Sequence, residues 1–598
     1  MSEDRKDPLR ARPEVVTMTP YRPPTEGRSG RLRLDFNENT VGCSAAVLET
    51  LKTLTADDLA TYPEYSGILE TVARHFGLDR DQLLLTNGID DAIRTIYWTY
   101  LNPGDVLVLP SPTFALFEVN AQIAGARIER VPYRAGNLAF PFEEVLARLG
   151  QDPAPRILVL VNPNNPTGTG LSREQVVALL KVASRAGTLV ILDEAYREFA
   201  GRDHLNLIHR HENLLVLRTF SKAYGLAGLR VGLIAGAPRA IREIRKVLSP
   251  YGVNVVAVRA LAVALNDQAH VSRYVRQVSA GRIVLQRGLD RLGVVWRPSS
   301  ANFLLAEFGA EAPRVCEALR EDGVLVRDRS RDPLTRGCLR LGIGTPAQCR
   351  TLIRALGHVL QDRCILFDLD GVLVDVSESY RAAIASTVAQ FAGEQVSQAE
   401  IHEFKNRGAF SDDWALTLAI LRERGIRVPL KRVRDVFQRF YLGDERREGF
   451  RERESWLMRP AILARLSRRF PLGIVTARPL YEAQWTLDRF GVTRHFSVVI
   501  AREQVEPRLK PDPAGLLLAQ QRLNRRLATY VGDSTSDIAA ALAAAHQAIG
   551  VVTPGADPEA HAARLREAGA DAVLTDVNRI EDLFRGKGRI RGGLSDAG

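Results

Sequence analysis

Residues 156–168 read RILVLVNPNNPTG, a short apolar run that stops abruptly at asparagine, proline and glycine. A run of this length, rich in branched residues and closed by turn formers, reads as a strand buried on both faces. Similar runs surround it: DVLVL (105–109), TLVILD (188–193), NLLVL (213–217) and LRVGLIAG (229–236), separated by helical patterns. Continuous apolar strands alternating with helices predict an α/β unit whose parallel sheet is covered on both faces. Such sheets bind ligands beyond the carboxyl ends of their strands, so chemistry should be sought just after each run.

The residues found there have a common logic. VNPNNPTG carries Asn165, LDEAY carries Asp193 and Tyr196, and RTFSKAYGLAGLRVG (218–232) carries Thr219, Ser221, Lys222 and Arg230. A lone loop lysine is ordinarily solvated, but lysine is scarce in this arginine-rich chain, and three strand ends here converge on one crevice. Pyridoxal phosphate requires an amine able to form a Schiff base, an acid for its ring nitrogen, hydroxyl and amide groups for its phenolic oxygen, and a phosphate cradle. TNGIDDAI (86–93) offers such a cradle, a glycine turn entering a helix with the N–H groups of Ile89 and Asp90 at its start.

With this ordered set, residues 15–360 resemble the fold-type I aminotransferases, and are most similar to the histidinol-phosphate aminotransferases. The resemblance implies that Lys222 holds the cofactor and moves a proton at the substrate Cα, while Asp193 pairs with the ring nitrogen. It implies that Asn165 and Tyr196 contact the ring oxygen, that Phe114 of PSPTF stacks on the ring, and that Thr219, Ser221 and Arg230 complete the phosphate site with Ile89 and Asp90. Tyr62 of TYPEY resembles a tyrosine that reaches the phosphate from a neighbouring subunit, which implies a homodimer. Arg327 of GVLVRDRS, Arg340 of CLRLGIGTP and Tyr21 of MTPYRPP match residues that meet substrate phosphate or the carboxylate of glutamate, and forked guanidinium bonding suits both anions. Two departures leave the substrate open: NENTVG (37–42) lacks the family's proline and aromatic ring, and Asp90-Asp91 replaces Asp-Glu. Aminotransferases of aromatic keto acids, and decarboxylase or racemase chemistry on the same cofactor, stay open.

A second enzyme-like opening begins beyond residue 360. CILFDLDGVLVD (364–375) ends a strand in Asp368 and Asp370; GIVTARP contributes Thr476, RLKPDP Lys510, and YVGDSTSD Asp533 and Asp537. Their order resembles the haloacid dehalogenase superfamily of phosphatases over roughly residues 363–585, with a doubly wound sheet and a helical cap. The resemblance implies attack on phosphorus by Asp368, acid–base work by Asp370, and phosphoryl binding by Thr476 and Lys510. It also implies a Mg²⁺ held by Asp368, Asp533 and the main-chain carbonyl of Asp370, with Asp537 supporting them. A non-catalytic binding module is the rival reading, and retention of all these residues argues against it.

These readings divide the chain into an aminotransferase (1–360), with a large domain about 40–270 and a small domain from the N-terminal arm and 271–360, then a phosphatase (361–585) with a cap about 376–463 containing HEFKNRGAFSDDW, and a flexible tail (586–598). Two transformations on one chain suggest consecutive steps: transamination with glutamate, then dephosphorylation, as in histidine biosynthesis. At 598 residues the chain exceeds one hydrophobic core. The net charge of +11 is spread as arginine without basic blocks, which points to small phosphorylated or carboxylated substrates and away from nucleic acid. Five scattered cysteines without a CxxC pair fit a reducing cytoplasm, and no run of about 18 apolar residues suggests a membrane span.

Overall fold

The computed structural model describes residue 9 and residues 11–407, 413–445 and 447–584. The tail 586–598 and part of HEFKNRGAFSDDW lie outside the described residues. The chain forms two compact units: one from the segments up to Asp290 with Trp296–Glu307 and Leu319–Arg354, the other from Arg291–Val295, Phe308–Ala318 and the chain from Ala355 onward.

The first unit is built on seven strands, β1 (Leu83–Thr86), β2 (Val106–Ser111), β3 (Arg127–Pro132), β4 (Ile157–Val161), β5 (Leu189–Asp193), β6 (Leu214–Thr219) and β7 (Gly232–Gly236), in the order β1-β7-β6-β5-β4-β2-β3. Strands β2 to β6 are parallel, as their apolar runs predict. LRVGLIAG departs from that expectation: β7 runs antiparallel to both of its neighbours. Its buried run reads like the others because apolar content reports burial on two faces and carries no sign of direction. RIERVP of β3 escapes the reading for the opposite reason, since an edge strand with partly exposed side chains keeps its charges.

Every residue of β4 and β6 is buried, and each enclosed aliphatic side chain contributes about 1.5–3 kcal/mol. The helix Arg173–Arg185 opens on a reciprocal cap in which Ser172 and Gln175 satisfy each other's main-chain N–H groups, so its apolar stripe is presented in register to the sheet. Three further strands, β8 (Phe303–Glu307), β9 (Arg327–Asp328) and β10 (Cys338–Gly342), form an antiparallel sheet in the order β9-β10-β8. GVLVRD is divided between two sheets: Val324–Leu325 pairs with Leu32–Arg33, and Arg327–Asp328 joins β10.

The second unit holds a six-stranded parallel sheet of β11 (Arg363–Phe367), β12 (Leu472–Val475), β13 (Val498–Ile500), β14 (Leu527–Gly532), β15 (Gln547–Val551) and β16 (Ala572–Leu574), in the order β13-β12-β11-β14-β15-β16. Order along the sheet departs from order along the chain on either side of β11, so the carboxyl ends of β11, β12 and β14 share one crevice. Between β11 and β12 the helices Tyr380–Ala392, Gln398–Arg407, Asp413–Glu423 and Leu430–Leu442 form the expected insert. No described helix is long and apolar enough to cross a membrane. Burial pushes the thiols of Cys338 and Cys364 up to about 12.

Candidate active sites

A cavity of about 560 Å³ opens beyond the carboxyl ends of β4, β5 and β6. Ile89, Asp90, Phe114, Asn165, Asp193, Tyr196, Thr219, Ser221, Lys222 and Arg230 all line it. Tyr21, Arg327 and Arg340 do so as well. Tyr62 does not: it is 72% exposed and stacks on Tyr251 with ring centres 4.3 Å apart.

Asp193 ends β5 and is 2% exposed. Burial raises its carboxyl to about 7, with Glu194 and Asp90 adding repulsion, while an N–H from Ala195 at 2.9 Å and the charge of Lys222 pull the other way. This is a buried acid whose ionisation calls for a nearby cation. Lys222, beyond β6, donates from Nζ to the Phe36 carbonyl at 2.8 Å. Burial lowers its ammonium to about 8, and Arg340 and Arg230 reinforce the shift against Glu38 and Asp90. A larger neutral fraction makes the amine a better nucleophile near neutrality.

The Tyr196 hydroxyl accepts from Asn165 Nδ2 at 3.2 Å and from Asn37 Nδ2 at 3.0 Å. Arg340 donates from Nη1 to Asn165 Oδ1 at 2.5 Å and from Nη2 to the Asp35 carbonyl. Burial brings its guanidinium down to about 10, and its Nε finds no acceptor among the described residues. At the cavity's other end the helix Gly88–Tyr100 presents its first turn, and no described acceptor takes the N–H groups of Ile89 or Asp90. Arg230 crosses that turn to pair with Asp90 at 2.8 Å. Gly88 has φ +75°, and a Cβ there would lie 2.5 Å from Arg230 Nη2, so glycine is what lets the guanidinium approach the helix start.

Among the lining residues that the sequence reading gave no role are Phe36, Asn37 and Arg329. Asn37 meets Tyr196 across 159 residues of chain, and no local spacing encodes that partnership. Arg329 sits two residues beyond Arg327; burial lowers its guanidinium, and its Nε has no acceptor among the described residues. Apart from Arg230 at the helix start, the cavity thus holds Arg327, Arg329 and Arg340 with Tyr21, a set suited to a substrate with more than one anionic group.

In the second unit Asp368, Asp533 and Asp537 each offer an oxygen within 4.8 Å of the other two. Lys510 Nζ lies 3.1 Å from Asp368 Oδ1, 2.6 Å from Asp537 Oδ1 and 2.9 Å from the Tyr530 hydroxyl. Burial raises the Asp368 carboxyl well above the ordinary range, Lys510 opposes this, and the three other aspartates add to it. Asp537 is engaged on both oxygens, by Lys510 and Tyr530 on Oδ1 and by Asp533 N, Ser534 N and Ser534 Oγ on Oδ2. It therefore orients the loop that carries Asp533. Asp533 Oδ2 accepts from Thr553 Oγ1 at 2.8 Å, and Gly371, at φ +76°, is the turn that leaves room for that carboxylate.

Thr476 is buried after β12, where its Oγ accepts the N–H of Arg478 at 3.1 Å. The Asp370 carboxylate pairs with Arg478, which sequence reasoning passed over.

Residues 29–356 match the model of aminotransferase class I and II, and residues 365–551 that of haloacid dehalogenase-like hydrolase. The chain is 36% identical over 348 residues to a histidinol-phosphate aminotransferase of Geobacillus sp. (strain WCH70), covering 57% of this chain and 93% of that one. It is 34% identical over 366 residues to that of Moorella thermoacetica, covering 59% and 93%. The crystal structure of histidinol-phosphate aminotransferase from Sinorhizobium meliloti in complex with pyridoxal-5'-phosphate superposes with a TM-score of 0.55 at 28% identity, covering 60% of this chain and 99% of that one. The chain belongs to the class I and II aminotransferases, with a haloacid dehalogenase-like hydrolase fused behind.

Proposed function

We propose a bifunctional enzyme: a pyridoxal-phosphate aminotransferase that exchanges amino groups between glutamate and a phosphorylated keto substrate, joined to a Mg²⁺-dependent phosphomonoesterase. The observation that carries the first half is the gathering of Lys222, Asp193, Tyr196 and Arg340 around one cavity, with an unsatisfied helix start at its far end. These residues fit the cofactor: Ile89, Asp90, Thr219, Ser221 and Arg230 would hold its phosphate, Asp193 its ring nitrogen, and Tyr196 with Asn165 its ring oxygen. Bound there, pyridoxal phosphate supplies an electron sink for the carbon bearing the amine. Lys222 Nζ removes and returns the proton at the substrate Cα, and its lowered ammonium suits that work. Arg340 takes the α-carboxylate, while Arg327, Arg329 and Tyr21 take the distal anion, most economically a phosphate ester. Tyr62, exposed on its own protomer, supports a homodimer in which it serves the neighbouring cavity.

In the second half the carrying observation is the Asp368–Asp533–Asp537 cluster around Lys510. Asp368 and Asp533 would hold Mg²⁺, which supplies charge neutralisation at the transferring phosphoryl group. Asp368 attacks phosphorus, Thr476 and Lys510 bind its oxygens, and Asp370 first protonates the departing alcohol and then takes a proton from water. The cluster's retained geometry favours catalysis over a binding module. Because the first reaction would yield a phosphorylated amine and the second would consume a phosphate ester, we read them as consecutive, with histidinol phosphate as the shared compound.

Two assays test this. Purified protein mixed with L-glutamate alone should convert the cofactor's absorbance to that of its amine form; no conversion sinks the transaminase reading and leaves decarboxylase or racemase chemistry. Histidinol phosphate with Mg²⁺ should release inorganic phosphate, and no release discards the consecutive pairing.

A further inference from the structure

Arg478 is among the most enclosed large side chains of the protein, 2% exposed, and it faces two carboxylates at once. Its Nε and Nη2 both reach the same oxygen of Asp370, Oδ1, at 2.8 and 2.5 Å. Nη2 and Nη1 reach Glu454 at 2.9 and 3.2 Å, and Nη1 also reaches the Tyr441 hydroxyl at 3.0 Å and Thr486 Oγ1 at 2.8 Å. The guanidinium carbon lies 4.7 Å from the centre of the Tyr380 ring. Tyr380, Tyr441 and Glu454 belong to the insert between β11 and β12, whereas Arg478 follows β12 and Asp370 follows β11.

Neutralising Glu454 would account for a buried arginine, since an unpaired carboxylate at that depth is strongly destabilising. It does not account for Asp370. That side chain is 23% exposed, so water could solvate it without help. Instead two N–H groups converge on one of its oxygens, which fixes the carboxylate's rotation and leaves Oδ2 without a hydrogen bond from the described residues. The main chain of Arg478 is meanwhile tied to Thr476 Oγ, so the group that clamps Asp370 is anchored beside the phosphoryl-binding threonine.

We infer that Arg478 is the positioning residue for Asp370, clamping one oxygen so that the other meets the reacting ester, and linking that placement to the helical insert through Glu454 and Tyr441. The inference deepens the phosphomonoesterase reading and rests on it. In the first step Asp368 attacks phosphorus, the ester P–O bond breaks, and its electron pair leaves on the alcohol oxygen, which takes the proton from Asp370. In the second, water attacks phosphorus, the bond to Asp368 breaks, and the proton of water goes to Asp370. A nitrophenolate leaving group needs no proton, so with p-nitrophenyl phosphate only the second step depends on Asp370.

The test is rapid mixing of the full chain with Mg²⁺ and p-nitrophenyl phosphate. Arg478→Lys should keep a burst near one nitrophenolate per chain while the steady rate falls at least tenfold. Tyr441→Phe, a milder change to the same hub, should keep the burst and slow the steady rate a few-fold. In an Asp370→Asn background, Arg478→Lys should add less than twofold, because residues acting through one another are not additive. The inference is overturned if burst and steady rate shrink together, as loss of folded sites would give, if the steady rate is unchanged, or if the two substitutions multiply. An unsubstituted chain that transaminates yet releases no nitrophenolate overturns the phosphomonoesterase reading itself, and the inference with it.

Discussion

Replacing Gly371 by alanine tests how tightly the hydrolase site is built. Gly371 adopts φ +76°, and a Cβ there would stand 2.1 Å from Asp533 Oδ2 and 3.2 Å from Thr553 Cγ2. Carbon and oxygen approach to about 3.3 Å without strain, so the carboxylate must retreat by roughly 1.2 Å. Retreat breaks the 2.8 Å bond from Thr553 Oγ1 that aims it. Misplacement of about 1 Å costs on the order of 100-fold in rate, and the left-handed backbone adds about 1–2 kcal/mol of instability. Gly393 separates the two effects, because it ends its helix at φ +75° and a Cβ added there would meet nothing within 4 Å. Both substitutions should therefore lower thermal stability, Gly371→Ala by at least as much as Gly393→Ala, while only Gly371→Ala should cut phosphate release about 100-fold. Gly393→Ala should stay within about twofold, and both proteins should transaminate normally. Phosphate release from Gly371→Ala at the unsubstituted rate would refute the steric reasoning.

Other outcomes follow from the aminotransferase unit. With its ammonium lowered to about 8, Lys222 is half neutral at that pH, so the rate of pyridoxal phosphate uptake by the apoprotein should rise with a midpoint near pH 8 and level off about one pH unit above it. Stopped-flow absorbance checks this, and a rate still climbing at pH 10 would contradict it. Arg340→Met removes a repulsive neighbour, and should move the same midpoint upward. Arg329→Met should raise the KM of a phosphorylated keto substrate roughly tenfold, the scale of one charged hydrogen bond, while the half-reaction with glutamate changes less; equal effects on both would remove Arg329 from the distal anion site. Arg218, buried and paired with Glu194 at 2.7 Å, should cost about 3–5 kcal/mol when replaced by methionine, read as urea-induced release of the cofactor.

What the sequence makes legible follows the range over which its physics acts. A strand buried on two faces announces itself within a few residues, and its end marks where Asn165, Asp193, Lys222, Asp368 and Thr476 stand. Direction is not local, which is why β7 reads as parallel until its hydrogen bonds to β1 and β6 are seen. Pairings across the chain are equally silent: Asn37 with Tyr196, Arg478 with Glu454 and Asp370. Arg478 stands in plain view within GIVTARP, but in a chain with this many arginines only its enclosure sets it apart. The substrate-facing residues are the least legible of all, since Arg329 differs from a surface arginine only by what surrounds it.

The helical insert and the sheet beneath it cannot be exchanged independently. Transplanting a different lid onto this scaffold would succeed only if the newcomer carried its own anion to the place of Glu454. A graft without one would leave the partly exposed Asp370 to balance that interior cation in place of two carboxylates, so swaps among related lids should tolerate wide variation on their outer surfaces while preserving this one acidic plug.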